Sequence, residues 1–189
     1  MPHGKKNNGN SLKAKSKKRT APVTVPQNVE STDSGIEATP EIRGIEELLL
    51  LQLSTATGAH EIEHCMWELA SFYSRIGRQE TALTYVNQLV ERMDDPGKAA
   101  ACYLAMGQLM EQMDDYKAAL EYYEQAALLE PRSGRVAYLV NNNVGYCLNY
   151  FGRYEEAETY CRKAIAIDPH RHNAYKNLGI SLEGQGYIV

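Results

Sequence analysis

One pattern of small and aromatic residues occurs twice in this chain, over residues 100–133 and residues 138–171, so each copy is 34 residues long. The matched positions are Met106-Gly107 with Val144-Gly145, Tyr116 with Tyr154, Ala119 with Ala157, Tyr123 with Cys161, Ala126 with Ala164, and Pro131 with Pro169. A chain built by repetition folds into similar units that stack, because a single unit cannot bury its apolar face alone. Stacked units present an extended surface rather than a closed pocket, which favours a binding scaffold over an enzyme.

Each copy has the pattern of two helices joined by a short turn, because apolar residues recur at helical spacing in both halves. We expect Gly107 and Gly145 to let the two helices of a pair approach closely. Pro131 and Pro169 are expected to end the second helix, since proline lacks the backbone donor. The predicted turns lie at matching offsets, at Asp114-Asp115 and Gly152-Arg153.

Weaker copies flank these two. A first copy over about residues 63–96 keeps most of the small and aromatic positions, but its terminating proline is displaced to Pro96. A fourth copy opens at His172 and stops at Val189, before a second helix.

Upstream of the repeats, Thr39, Pro40 and Glu41 predict the start of a leading helix over residues 41–57. Residues 1–40 lack hydrophobic periodicity and predict a disordered basic tail.

The repeats resemble the tetratricopeptide repeat (TPR) family over roughly residues 63–189. The resemblance implies an all-α fold, a right-handed superhelical solenoid of helix-turn-helix repeats, here with a disordered N-terminal tail. In this family a concave face lined by the first helix of each hairpin binds a segment of a partner protein. We therefore expect a protein–protein interaction scaffold or adaptor, with no enzyme activity and no cofactor, whose partner the sequence does not identify. The alternative is a fragment of a larger TPR-containing protein in which the repeats position another domain.

The first helices of the third and fourth repeats carry a predicted peptide-binding groove. Asn143 and Asn177 occupy equivalent positions, and an amide exposed to solvent can pair with the backbone of an extended ligand. Tyr146 and Tyr150 offer apolar faces with polar tips, and Lys176 can pair with a carboxylate. The predicted groove set is Asn142, Asn143, Tyr146, Asn149, Tyr150, Asn173, Lys176 and Asn177. The favoured ligand is an extended segment with an acidic side chain or a free C-terminus; the alternative is a solvated polar helix face.

One motif in the chain is associated with metal chemistry. His60-Glu61-Ile62-Glu63-His64 matches H-E-x-x-H, in which two imidazoles on one helix face hold zinc and the glutamate activates water. A catalytic zinc needs a third protein ligand, and the extension that would supply it is missing, because Trp67 stands where a glycine is expected. A solvated helix end is therefore the favoured interpretation, with a zinc metallopeptidase or adventitious metal binding as the alternatives. We predict neither catalytic residues nor a metal site.

The charge is divided between the tail and the rest of the chain. Seven basic and three acidic residues precede Glu41, whereas 13 basic and 21 acidic residues follow from that position. An acidic repeat domain argues against a nucleic-acid groove there, since neutralising phosphates requires clustered Lys and Arg. The basic cluster Lys13–Arg19 has no interleaved aromatic residues. It can attract phosphates, acidic lipid headgroups or an import receptor, and the alternative is a tail that only keeps the protein in solution. We expect a cytoplasmic protein, or a nuclear one if the source is eukaryotic.

Three further expectations concern apolar residues. No apolar run approaches the ~18–20 residues that a membrane span requires, so we expect no transmembrane segment.

We expect the four cysteines to be buried free thiols, namely Cys65, Cys102, Cys147 and Cys161, with a Cys147–Cys161 bridge as the alternative. The truncated fourth repeat is expected to support weak self-association through apolar residues near the C-terminal end, namely Ile180, Tyr187, Ile188 and Val189.

Overall fold

The computed structural model describes residues 22–26, 39–132 and 134–187, and within these ranges it contains eight helices and no strand. The helices are α1 Pro40–Thr55, α2 Ala59–Arg75, α3 Gln79–Val90, α4 Pro96–Gln112, α5 Tyr116–Leu128, α6 Gly134–Tyr150, α7 Tyr154–Ile167 and α8 His172–Gly184. The prediction of an all-α repeat fold is confirmed. No described helix combines the length and apolar character needed to cross a membrane.

Helix starts follow the capping residues in the sequence. The side chain of Thr39 accepts a hydrogen bond from the Ile42 N–H at 3.3 Å, and Pro40 is the first residue of α1. Asp95 caps α4 in the same way, with Pro96 as its first residue. The assignment of Pro96 as the end of the first repeat is therefore wrong, because α3 ends at Val90 and this proline begins the next helix.

The turn between the two helices of a hairpin has the same backbone form three times. Gly77, Asp114 and Gly152 occupy equivalent positions and have φ values of 79°, 58° and 72°, in the left-handed region that glycine and aspartate tolerate. In each case the next residue donates its N–H to a carbonyl five residues back, which satisfies an orphan acceptor at the helix end. These bonds join Arg78 to Tyr73, Asp115 to Met110, and Arg153 to Leu148.

The helices pack as successive hairpins, α2 with α3, α4 with α5, and α6 with α7, while α1 packs on α2 and α8 packs on both α7 and α6. The predicted close approach at the two glycines is present. A Cβ on Gly107 would overlap the ring of Tyr123, and one on Gly145 would lie 2.7 Å from the sulfur of Cys161. All four cysteines are buried and free.

Most of the predicted disordered tail, including Lys13–Arg19, lies outside the described residues. Residues 22–26 are described, and their Val23 packs against the core around α2 and α3. We call these five residues the docked segment.

Candidate functional site

The predicted groove residues lie on α6 and α8, and the structure separates them by exposure. Tyr150 and Tyr146 are 61% and 37% exposed, Asn173 and Lys176 are exposed, and Asn143 is half-buried. Three asparagines are buried instead, namely Asn142, Asn149 and Asn177. Positions 142 and 149 are seven residues apart, which is about two helical turns, so both lie on the same face of α6.

The three buried asparagines connect α6 to α8. Asn177 Nδ2 donates to Asn142 Oδ1 at 3.1 Å, and Asn149 Nδ2 donates to the Asn177 carbonyl at 2.8 Å. Ser181, which the sequence reasoning missed, donates its hydroxyl to Asn149 Oδ1 at 2.9 Å. The expectation that Asn177 faces solvent is wrong, because the amides of successive first helices pair with each other and are screened from water.

Asn143 belongs to a second network, which joins three helices. Its side chain lies beside the hydroxyl of Tyr123 on α5, and that hydroxyl donates to a carboxylate oxygen of Glu111 on α4. Asn142 Nδ2 donates to Asn143 Oδ1 at 3.1 Å. Burial raises the pKa of the Glu111 carboxyl, partly offset by the bond from Tyr123. The side-chain oxygen of Asn143 therefore already has a hydrogen-bond partner within the protein.

The exposed part of the site is aromatic. The rings of Tyr116 and Tyr150 are stacked with centroids 4.4 Å apart, and Phe151 meets Tyr150 edge-on at 5.3 Å. Tyr146 lies 6.1 Å from Tyr116, and burial followed by the hydrogen bond with Tyr116 raises the pKa of Tyr146 to about 12. We call Tyr116, Tyr146, Tyr150 and Phe151 the tyrosine shelf.

Sequence reasoning found only half of this shelf. Tyr116 is the first residue of α5, and the sequence pattern shows it only as a repeat position that Tyr154 matches in the next repeat. The ring instead covers the end of α6, where Tyr150 leaves a large apolar surface open to solvent. A shelf of this kind can receive an apolar side chain on its ring faces and a polar group at its hydroxyls.

The H-E-x-x-H motif lies in the first turns of α2. The carboxylate of Glu61 accepts a hydrogen bond from the backbone N–H of Thr57 at 3.0 Å, which is a capping role. His60 and His64 are exposed. Glu63, which stands between them in the sequence, forms an ion pair in which its carboxylate lies 2.9 Å from the ammonium of Lys98. Within the described ranges no three His, Cys, Asp or Glu side chains are grouped to hold a metal ion. The motif here has the geometry of a helix start.

Two kinds of curated proteins are similar to this chain. It is 33% identical to the Photosystem I assembly protein Ycf3 of Prochlorococcus marinus over 98 residues, which are 51% of this chain and 56% of that protein. It is 23% identical to the Protein CTR9 homolog of Arabidopsis thaliana over 136 residues, 71% of this chain and 12% of that protein. The chain thus spans about half of one relative and a small part of the other.

Solved structures show the same fold. The crystal structure of BtubC (BKLC) from P. vanneervenii matches with a TM-score of 0.64 and 20% identity, over 78% of this chain and 67% of that one. A crystal structure of MamA matches with a TM-score of 0.57 and 22% identity, over 77% of each chain. Sequence profiles described as tetratricopeptide repeat match residues 62–127 and 139–171, together just over half of the chain. With its helical hairpins and these matches, the chain belongs to the tetratricopeptide repeat family.

Proposed function

We propose that this protein is a non-catalytic scaffold that holds a segment of a partner protein against the tyrosine shelf and the exposed face of α8. Membership of the family supports a protein-interaction role in general. The observation that carries the finer proposal is the exposed ring of Tyr150 stacked on the half-buried ring of Tyr116, since aromatic rings left open on a helix array are characteristic of interaction surfaces.

The chemistry of the ligand follows from the groups that remain available. The rings of Tyr146 and Tyr150 favour an apolar or proline side chain, and the exposed ammonium of Lys176 favours a carboxylate. The proposed ligand is therefore an extended segment that combines an apolar residue with an acidic side chain or a free C-terminus. We expect an affinity near micromolar, because ordering a flexible segment offsets much of the contact energy.

The buried amides have a different part in this proposal. Asn142, Asn149 and Asn177 hold α8 against α6, so they position the two exposed surfaces relative to each other. The relative named as an assembly protein fits a scaffold that brings polypeptides together, but this chain spans only about half of it. The partner of this chain is accordingly described by chemistry rather than by name.

The test selects, from a library of peptides with free C-termini, those that bind the full chain. The enriched peptides are then titrated into the full chain by calorimetry to measure their affinity. Tyr150→Ala and Lys176→Glu should each weaken binding by about tenfold, the loss of roughly 1.4 kcal/mol. Leu128→Ala is the matched control, because Leu128 is 75% exposed at the last residue of α5, outside both the shelf and α8, and it should change the affinity by less than about twofold. Enriched peptides that bind the Tyr150→Ala variant unchanged would remove the shelf from the site.

A further inference from the structure

The docked segment is held on α3 by one glutamine side chain. The N–H of Thr24 donates to Gln88 Oε1 at 2.7 Å, and Gln88 Nε2 donates to the Thr24 carbonyl at 2.7 Å. A single amide thus satisfies both backbone groups of one residue, as a neighbouring strand would. Contacts of this kind recognise the main chain of an extended peptide rather than a particular side chain.

Side-chain contacts add a requirement for shape. Val23 packs against the core cluster of the first repeat, whereas Thr24 and Val25 remain exposed. One apolar side chain therefore anchors the segment beside the backbone pair. Since the segment Pro-Val-Thr-Val-Pro contains no charged residue, its burial carries no cost of desolvating an ion.

The two prolines lower the cost of ordering the segment. Pro22 and Pro26 have fixed φ angles, and a residue that precedes proline is biased towards extended conformations. The segment is therefore already close to its bound shape before it docks, so less conformational entropy is lost. Neither proline interrupts the contact, because Gln88 pairs with the N–H and the carbonyl of Thr24, which lies between them.

We propose that the surface of α3 around Gln88 is a second peptide-binding site, occupied by the chain's own residues 22–26. Its ligands are extended segments without charged residues. One residue of such a segment pairs its backbone with the Gln88 amide, and a neighbouring β-branched side chain packs against the core. This site lies on the second helix of the first hairpin, whereas the tyrosine shelf lies on later helices. A partner segment of the same chemistry must displace the docked segment to bind here.

The connection between segment and helix array sets the strength of this competition. Twelve residues separate Pro26 from Thr39. A tether of that length gives an effective concentration on the order of millimolar, so an intrinsic dissociation constant of about 100 µM is enough to keep the site mostly occupied. A free peptide must therefore bind the intact chain about tenfold more weakly than a chain whose own segment cannot dock.

The first test is hydrogen exchange at the Thr24 amide in the full chain. The wild type should exchange about tenfold more slowly than an unstructured peptide, and Gln88→Ala should abolish this protection. Gln125→Ala is the matched control, because Gln125 occupies the equivalent position of α5 and is exposed, and protection should persist. An unprotected Thr24 amide in the wild type would overturn the proposal. Protection that rises with protein concentration would assign the site to a second copy and overturn occupancy in cis.

The second test uses a labelled peptide with the sequence of residues 20–28. It should bind a full-length Val23→Asp chain, whose own segment lacks its anchor, about tenfold more tightly than the wild type. Adding Gln88→Ala to that chain should abolish binding, and adding Gln125→Ala should leave it unchanged. Equal binding to the wild type and to Val23→Asp, or binding that survives the loss of Gln88, would contradict a peptide site on α3.

Discussion

At the scale of single residues, the sequence indicates which side chains are unusual without indicating their partners. Asn143 and Asn177 stand out because asparagine is a poor helix former. In the structure the side chains of both are hydrogen-bonded to the side chain of Asn142. An amide carries a donor and an acceptor, so the same residue suits a ligand backbone or a second amide across a helix contact. For Asn177 the position of α8 against α6 decides between these two roles, and that position is set by tertiary packing.

Replacing Asn177 with alanine should destabilise the fold rather than act on binding alone. The change removes a buried donor and leaves Asn142 Oδ1 without its partner, which costs about 1–3 kcal/mol. Urea denaturation followed by circular dichroism measures the loss. Asn173→Ala on the exposed face of the same helix is the control and should change stability by less than about 0.5 kcal/mol. Equal stability of the two variants would contradict the buried network.

Glu111 should make the stability of the protein depend on pH. Its pKa is raised in the folded state by burial, so its contribution is fully present below the pKa of the unfolded chain and is lost as the pH rises through the folded value. Glu111→Gln keeps an acceptor for Tyr123 and cannot ionise. The wild type should therefore lose unfolding free energy relative to this variant as the pH rises from acidic values through neutrality. A constant difference across that range would contradict a raised pKa.

At the scale of helices, much of the hairpin could be predicted, because its turns and contacts depend on residues close in sequence. The matching offsets of Asp114 and Gly152 predict turns, and the structure puts both residues in the left-handed conformation. The pattern does not assign Pro96 correctly, because a proline suits both the end of one helix and the first turn of the next. The pattern does not reveal the docked segment, because its partner Gln88 is 64 residues away in sequence.

A large residue at Ala119 should disrupt the middle of the array. This alanine is fully buried on α5, so the change Ala119→Trp forces the helices apart at a cost of about 1–3 kcal/mol or more. The thermal midpoint should fall, and neighbouring repeats should lose structure together because they share interfaces. Glu121→Trp, at an exposed position of the same helix, serves as the control. An unchanged midpoint for Ala119→Trp would show that the repeat register is incorrect.

At the scale of the whole molecule, the array places its surfaces on different helices. The docked segment contacts α3, the tyrosine shelf joins the start of α5 to the end of α6, and the buried asparagines tie α6 to α8. In a linear array each repeat contacts mainly its neighbours, so changes at separated repeats are expected to act additively. Gln88→Ala should therefore leave the affinity of shelf-binding peptides within about twofold, measured by the same calorimetric titration.

The exposed side of α8 is expected to support weak self-association of this chain. Tyr175 and Ile180 of α8 are 47% and 38% exposed, and Tyr187, just beyond the end of that helix, is 62% exposed. Exposed apolar groups at this end of the array favour burial against a second copy. Sedimentation velocity at several hundred micromolar should detect dimers in the wild type and fewer in Ile180→Glu, since a buried unpaired carboxylate opposes association. Leu128→Glu, at a 75% exposed position of α5, should leave association unchanged, and a monomeric wild type at that concentration would exclude this contact.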